Sequence, residues 1–285
     1  MIKLQLKPFF ENSGKIPRIS NLFSLFITLL FITFNSNANN IDSVNLGIKL
    51  KIDSKILKEE RVIVVHTPVN YDKTKDNYPV IYLLDGGHNL LYTAGIIDYL
   101  QKNKFMPKVI IVAINNVNRV KDFTPTPSKV LYGMPQMGGA DDFLSFIADE
   151  LKPTIEKRYR VAPYSLLLGH SYGGLLSVYS QQARPNLFNA HIAISPSLFY
   201  DDRALIISAE EFFQTNKKTP QFLYMTLANE YQEFEESIKA YTNILEQYAP
   251  KTMQWKFEEL PQETHNSSFH PATFNGLKLL FKDWY

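Results

Sequence analysis

One short motif constrains this chain more than any other feature: Gly169-His170-Ser171-Tyr172-Gly173. It follows the apolar run 165–168 directly and leads into a helical pattern of apolar residues. In such a strand–turn–helix context, the sharp turn holds the serine in a strained conformation and exposes its hydroxyl. We expect glycine at both ends of the motif because a side chain there would clash. The motif therefore predicts that Ser171 is a nucleophile at the end of a buried strand.

The rest of the chain alternates between strand and helix patterns, which is typical of an α/β fold. Several strand candidates are apolar on both faces, as in a parallel sheet covered by helices. We expect a doubly wound, mostly parallel sheet with helices on both faces. The predicted strands cover residues 61–65, 78–84, 108–114, 165–168, 190–194, 221–227 and 253–260.

Helical patterns fill several of the intervals between these strands. One amphipathic pattern spans residues 233–248, and a last helix is predicted near Pro271. Residues 115–139 instead form a long connection rich in Asn, Pro, Thr and Gly. Long connections inside one domain are often functional, so we expect this one to shape a pocket.

The N-terminus has the features of a secretory signal peptide. Basic residues are followed by an uncharged apolar run at residues 22–34, and Ser36 and Ala38 suit a cleavage site. The alternative is a membrane anchor, but this run is shorter than the roughly 20 residues that span a bilayer. We predict a signal peptide at residues 1–38, one domain at 39–285, and a periplasmic or secreted protein without a stable anchor.

Charge and composition exclude several classes of function. Removing residues 1–38 takes away four basic residues and one acid, which changes the formal charge from +2 to −1. The mature chain therefore does not indicate a nucleic-acid surface. It has no cysteine, so thiol catalysis and thiolate metal sites are excluded. The acid pairs at 141–142 and 201–202 lack a third ligand at metal-binding spacing, and we interpret them as solvated helix starts.

A serine nucleophile needs a base, which in α/β-hydrolases follows the serine and the acid along the chain. Three of the six histidines precede Ser171, and His191 lies inside an apolar strand, where a packed or edge histidine is expected. His265 and His270 remain, both between the last strand and the last helix. We predict His265 as the base because it lies nearer the strand end.

The orienting acid is expected directly after the strand at residues 221–227. Glu230 is the first acid after that strand, and it is our prediction. Glu233 and Glu235 are alternatives, and so is a dyad with a weak third member. Acids are also favoured at a helix N-terminus for purely local electrostatic reasons.

Two backbone N–H groups are expected to stabilise an oxyanion. The residue after the nucleophile, Tyr172, provides one donor. The second is expected after an early strand, where Asp85-Gly86-Gly87 ends the segment 78–87. We predict Gly87 as that donor, since glycine allows a close approach of the backbone, and we interpret Asp85 as a structural acid.

The segment 162–174, which carries the serine motif, resembles the nucleophile segment of the putative esterase family of α/β-hydrolases. That family includes esterase D and the enterobactin and salmochelin esterases. Four further segments resemble it in order, at residues 78–87, 118–126, 195–202 and 263–267. The resemblance covers roughly residues 45–285 and implies an α/β-hydrolase fold and ester hydrolysis without a metal or other cofactor. It supports Ser171 and His265 by position and favours Glu230 only modestly.

Together these features predict an exported serine esterase that acts on a small-molecule ester through an acyl-enzyme. Siderophore esters are one candidate substrate, and short acyl, acetylated-sugar and feruloyl esters are others. An acyltransferase with the same catalytic residues is an alternative, because a sugar or lipid alcohol could replace water. A non-catalytic binding module on a hydrolase scaffold is the third possibility.

Overall fold

The computed structural model describes residues 45–127, 137–216 and 221–284, and these residues build an α/β architecture around one large sheet. Eight strands lie in the order β1-β2-β4-β3-β5-β6-β7-β8. The first two strands pair in an antiparallel manner, β2 also runs antiparallel to β4, and all later pairs are parallel. The strands are Ile48–Ser54, Glu59–His66, Tyr78–Leu83, Ile110–Ile114, Val161–His170, Ala190–Ile194, Phe222–Asn229 and Gln254–Thr264.

Helices connect the parallel strands and cover both faces of the sheet. A π-helical turn, Ile147–Leu151, joins the third helix to the fourth. The helices α1 to α8 are Gly86–Lys102, Arg119–Phe123, Ala140–Phe146, Lys152–Arg158, Tyr172–Ala183, Tyr200–Thr215, Gln232–Tyr248 and Phe269–Leu280.

The core has two layers because successive residues of the central strands point to opposite faces of the sheet. In β3, Ile81 and Leu83 pack with α1 and α8, whereas Val80 and Tyr82 pack with α3, α4 and α5. The far end of the second layer, against α6 and α7, forms a third apolar cluster. Both faces of the central strands are therefore buried, as their continuous apolar sequences indicate.

The predicted α/β-hydrolase fold is confirmed, with one strand missed and one connection misjudged. Strand β1 lies at the edge of the sheet and alternates exposed with partly buried residues, so it has no continuous apolar run. The connection at residues 115–139 contains the short helix α2, which the loop prediction lacked; its residues 128–136 lie outside the described part.

The remaining predictions concern the N-terminus, the domain and membrane-spanning helices. The signal-peptide prediction for residues 1–38 lies outside the described residues. Residues Asn45–Tyr285 form one compact unit. None of the helices within the described ranges is both long enough and apolar enough to cross a membrane.

Candidate active site

Ser171 lies in the strained turn that the sequence motif predicts. It stands between β5 and α5 with φ 61° and ψ −119°, an unusual conformation for a residue with a side chain. A Cβ added to Gly169 would lie 2.3 Å from the carbonyl oxygen of Gly173, which no real structure tolerates. The turn therefore requires glycine at 169, and it presents Ser171 at the carboxyl edge of the sheet.

The predicted clash at Gly173, the second glycine of the motif, is not found; the close contact lies at Gly174. A Cβ added to Gly173 would have its nearest neighbour at 3.4 Å, which is ordinary contact. At Gly174 the added Cβ would lie 2.9 Å from Ile194 O and from Pro196 Cα. The close approach of α5 to the segment after β6 thus occurs one residue later than expected.

The backbone of Ser171 is anchored to the neighbouring strand. Its N–H donates to Ile194 O at 2.9 Å, and its carbonyl accepts from Ser197 N at 3.2 Å. The Ser171 hydroxyl lies 3.4 Å from the hydroxyl of Ser197, which is buried. This long contact is the hydrogen bond that the described residues offer to Ser171 Oγ. Catalytic hydrogen bonds are often long without substrate and shorten when it binds.

His265 and Glu230 meet at the same edge of the sheet. Glu230 follows β7 and His265 follows β8, two parallel neighbours whose carboxyl ends coincide. The Nδ1 atom of His265 lies 3.1 Å from Glu230 Oε1. The Glu230 side chain is 1% exposed, whereas that of His265 is 31% exposed. The carboxylate thus fixes Nδ1–H as the donor and leaves Nε2 free to accept a proton.

The other candidate acids and bases lie elsewhere. Glu233 is exposed, and Glu235 pairs with Lys239 at 2.6 Å. His270 is exposed on α8, while His191 is fully buried in β6, which confirms the packed interpretation. Of the predicted candidates, the structure therefore brings Glu230 and His265 together.

The backbone carbonyl of His265 is held by two donors. His170 Nε2 donates to it at 2.7 Å, and Ser268 Oγ donates at 2.9 Å. The rings of His170 and His265 also pack against each other at a tilt of 42°, with centroids 4.5 Å apart. Since His170 directly precedes Ser171, these contacts fasten the histidine loop to the serine turn.

His170 is neutral near pH 7. Burial, with smaller contributions from the neighbouring His265 and from Arg119, lowers the pKa of His170 to about 4. A backbone oxygen can only accept a hydrogen bond, so Nε2 of His170 carries the proton. Sequence reasoning gave His170 no role, because only the fold brings it against a residue 95 positions away.

The two predicted oxyanion donors both begin helices. Tyr172 opens α5 and Gly87 lies in the first turn of α1, where backbone N–H groups have no partner within the helix. Among the described residues, neither N–H donates to a backbone acceptor outside its own helix. A Cβ on Gly87 would meet nothing closer than Asn115 Oδ1 at 3.7 Å, so space is open beside it.

Asp85 connects the beginning of α1 to the serine turn through Arg119. The Arg119 guanidinium donates to both carboxylate oxygens of Asp85, at 2.7 and 3.1 Å, and to His170 O at 3.0 Å. Asn116 also donates to Asp85. This network confirms the structural interpretation of Asp85.

The paired acids do not form a metal site in the described part of the chain. Asp141 and Asp142 begin α3 as predicted, and Asp141 accepts from Tyr179. Asp201 and Asp202 differ from the prediction, because both have left-handed backbone angles within the segment Tyr200–Thr215. Asp201 accepts a hydrogen bond from Thr126, so it links this segment to the connection after α2.

An open pocket lies beside the Glu230–His265 pair. Its volume is about 570 Å³, enough for a drug-sized group. It is lined by Asn229, Glu230, Tyr231, Phe234, Thr264, His265 and Asn266. The ring of Phe234 lies 4.8 Å from that of His265 and 4.7 Å from that of Phe199. The site can therefore hold an apolar group against the imidazole.

Comparison with known proteins gives a consistent result. A family model described as "Putative esterase" matches residues 54–258. The siderophore triacetylfusarinine C esterase of Aspergillus fumigatus is 31% identical over 175 residues, which are 56% of this chain and 59% of that protein. The ferri-bacillibactin esterase BesA of Bacillus subtilis is 31% identical over 170 residues, 53% of this chain and 58% of that protein. This chain therefore matches less than two thirds of the length of each of these two relatives.

A solved structure extends the likeness over more of the chain. The IroE-like serine hydrolase of Shewanella oneidensis superposes with a TM-score of 0.80 and 33% identity. The match covers 84% of this chain and 81% of that one. Fold and sequence therefore agree across most of both chains.

Proposed function

Because this chain belongs to the putative esterase family, we propose that it is a serine hydrolase of small-molecule esters. Ser171 is the nucleophile, His265 the general base and Glu230 the orienting acid. The contact between His265 Nδ1 and Glu230 Oε1, next to the strained serine turn, carries the proposal. A buried carboxylate that orients a partly exposed imidazole is the arrangement that a general base requires.

In the first half of the reaction, Ser171 Oγ attacks the ester carbonyl while its proton passes to His265 Nε2. The buried carboxylate of Glu230 stabilises the imidazolium that forms. The backbone N–H groups of Tyr172 and Gly87 donate to the oxyanion of the tetrahedral intermediate. The intermediate collapses, the C–O bond to the alcohol breaks, and His265 protonates the departing alcohol.

In the second half, water replaces the alcohol. His265 takes a proton from water as the oxygen attacks the acyl-enzyme, and the same two N–H groups stabilise the second oxyanion. Collapse releases the acid and returns the proton to Ser171. An alcohol that entered in place of water would make the reaction an acyl transfer, so product analysis with added alcohols separates hydrolysis from transfer.

The substrate class that we propose is a siderophore ester. Two relatives that are 31% identical to this chain are named for siderophore substrates. The open pocket of about 570 Å³ beside His265 suits part of a bulky ligand better than a tightly enclosed acyl slot would. We also propose export, with cleavage near Ala38, which N-terminal sequencing of the protein purified from its native cell would test.

The central test compares two neighbouring serines. Ser171→Ala should abolish hydrolysis of p-nitrophenyl acetate and labelling by a fluorophosphonate, while thermal unfolding is unchanged. Ser197→Ala is the matched control, because its hydroxyl lies 3.4 Å from that of Ser171 but is not the proposed nucleophile. Retained activity in Ser171→Ala, or loss of labelling in Ser197→Ala alone, would show that the nucleophile is wrongly assigned.

A second test separates the candidate acids. Glu230→Gln should lower kcat by about 10²- to 10⁴-fold, because the amide cannot stabilise the imidazolium. Glu233→Gln, three residues along the chain and exposed, should leave kcat within about twofold of the parent. Equal effects of the two substitutions would refute the role of Glu230.

A further inference from the structure

The pocket beside His265 has an apolar, aromatic wall. The ring of Phe234 packs at a tilt against His265 and edge-on against Phe199, and Tyr231 is 80% exposed at the pocket. Tyr231 and Phe234 line the pocket together, so two aromatic side chains face the space that a ligand would fill. The wall therefore favours a group with apolar or aromatic surface.

The surroundings of this pocket are acidic. A neighbouring depression shares Asn229 and Glu230 with the pocket and is also lined by Glu235, Lys239 and Glu259. Glu233 directly precedes the lining residue Phe234, and Glu263 directly precedes Thr264. We call Glu233, Glu235, Glu259 and Glu263 the acidic rim.

The lysine that lines the neighbouring depression is already paired with two acids of the rim. Lys239 pairs with Glu235 at 2.6 Å and lies 3.8 Å from Glu259. Neither Glu233 nor Glu263 has an ion pair within the described residues. Arg119, which approaches the serine turn, is paired with Asp85. The described lining of the pocket contains no lysine or arginine.

This charge distribution separates ferric siderophores by their chemistry. Three dianionic catecholates leave a ferric complex as a trianion, whereas three monoanionic hydroxamates leave it neutral. Charges within a Debye length of about 8 Å still repel a ligand at physiological ionic strength. Like charges around a cleft lower the local concentration and the association rate of an anion.

We propose that the pocket beside His265 takes an uncharged part of the substrate, and that the chain prefers neutral ferric hydroxamate esters to trianionic ferric catecholate esters. This inference rests on the proposed function. It concerns the charge of the substrate, whereas the proposed function concerns the nucleophile and the bond that is cleaved.

The test compares kcat/KM for ferric triacetylfusarinine C and ferric enterobactin at low and high salt. We expect the neutral complex to be favoured by about tenfold or more at low salt, with a narrower gap at high salt because screening weakens the repulsion. A matched pair of simple esters, p-nitrophenyl butyrate and the monoanionic p-nitrophenyl succinate, provides the same comparison if neither siderophore is cleaved.

Charge reversal on the rim localises the effect. Glu233→Lys should raise kcat/KM for the anionic ester about threefold or more and leave the neutral ester unchanged. Asp76→Lys makes the same charge change on an exposed residue just before β3. This residue lies at the amino ends of the parallel strands, away from the site, so the change should alter kcat/KM for neither ester. The neutral ester controls for misfolding, because a damaged site would slow both substrates.

The outcomes distinguish the two proposals. Equal or faster cleavage of the anionic ester, or an equal response of both esters to Glu233→Lys, overturns the charge preference while the esterase proposal stands. An absence of any ester cleavage together with no fluorophosphonate label on Ser171 overturns both.

Discussion

The short helix α2 contributes one residue to each of two arginine–aspartate pairs. The two pairs differ in burial and in the segments that they connect. Asp122 accepts from Arg61 of β2 at 2.6 and 3.0 Å, and both side chains are at most 1% exposed. Arg119, one turn earlier on the same helix, pairs with Asp85, and these side chains are 31% and 8% exposed. Similar bonds therefore stand in different solvent environments.

The difference in burial corresponds to a difference in role. Arg61 lies among core residues, 5.3 Å from the ring of Phe143, so its pair joins the sheet to the helical layer. Burial raises the pKa of Asp122 even though Arg61 opposes that shift. The Arg119 pair instead extends to the carbonyl of His170 and ends at the serine turn. We infer that the first pair supports the fold and the second positions the site.

The largest expected effect comes from breaking the buried pair. Asp122→Ala should lower the free energy of unfolding by about 3–5 kcal/mol, because it leaves the fully buried Arg61 guanidinium without its main counter-charge. Urea unfolding followed by circular dichroism measures this change. Glu59 still contacts Arg61, and this partly exposed acid softens the loss without replacing Asp122.

Activity per folded molecule is the second measurement on that variant. Fluorophosphonate titration counts the functional serines, and kcat per labelled site should stay within about threefold of the parent. A loss of kcat as large as that caused by changing Arg119 would show that the two pairs act as one unit. The division of roles would then be wrong.

Breaking the site-side pair should affect turnover more than stability. Arg119→Met should lower kcat by about 10- to 100-fold, because small displacements of the serine turn or of α1 misplace the reacting groups. The loss of stability should be smaller, about 1–3 kcal/mol, since Asp85 is less buried and keeps its bond from Asn116.

Arg119→Lys is the matched variant for this test. Lysine keeps the charge but cannot contact Asp85 and His170 O with the geometry of a guanidinium, so it should restore stability better than turnover. Steady-state kinetics and urea unfolding of both variants measure the two effects. Unchanged kcat in Arg119→Met would remove the positioning role.

The site-side region should also respond to acid. The pKa of His170 is about 4 in the folded protein, below its ordinary value of 6.5. As the pH falls below 6.5, the unfolded chain binds a proton that the folded chain excludes until about pH 4, so stability falls over this window. The contribution of one such group is about 1.4 kcal/mol per pH unit.

His170→Asn should reduce that slope, because asparagine does not titrate and can still donate to His265 O. Urea unfolding at several pH values between about 7 and 5 measures the slope. His191, whose pKa burial lowers to about 3, adds a similar slope from the core and should keep it in this variant. An unchanged slope would mean that His170 is not held neutral by the fold.

Much of the fold could be predicted because its signals are local. The central strands are apolar on both faces, and their sequences indicate a buried parallel sheet without any tertiary information. Edge strand β1 could not be found in this way, since its exposed face needs no apolar side chains. Burial thus decides which strands the sequence reveals.

The site was predictable as far as chain order determines it. Parallel strands deliver the segments after them to one edge, so the first acid after β7 and the first histidine after β8 are brought together as Glu230 and His265. The bond from His170 to His265 O and the Ser197 hydroxyl beside Ser171 depend on side-chain packing between distant segments. No local sequence pattern indicates such contacts. Local spacing reveals only neighbours within one element, such as Arg119 and Asp122, which lie three residues apart on one helix turn.

The smallest expected effect comes from replacing the buried pair instead of breaking it. The double substitution Arg61→Met with Asp122→Leu removes both charges together, so neither is left buried without a partner. Well-packed apolar replacements of buried ion pairs are often neutral or stabilising by about 1–4 kcal/mol. Urea unfolding should therefore show recovery of most of the loss of stability seen in Asp122→Ala.

Replacing Arg119 and Asp85 together by apolar residues should not rescue turnover, because no apolar side chain can donate to His170 O. Rescue of kcat by an apolar pair at 119 and 85 would show that the Arg119 guanidinium contributes only packing. The two pairs would then differ in burial but not in function.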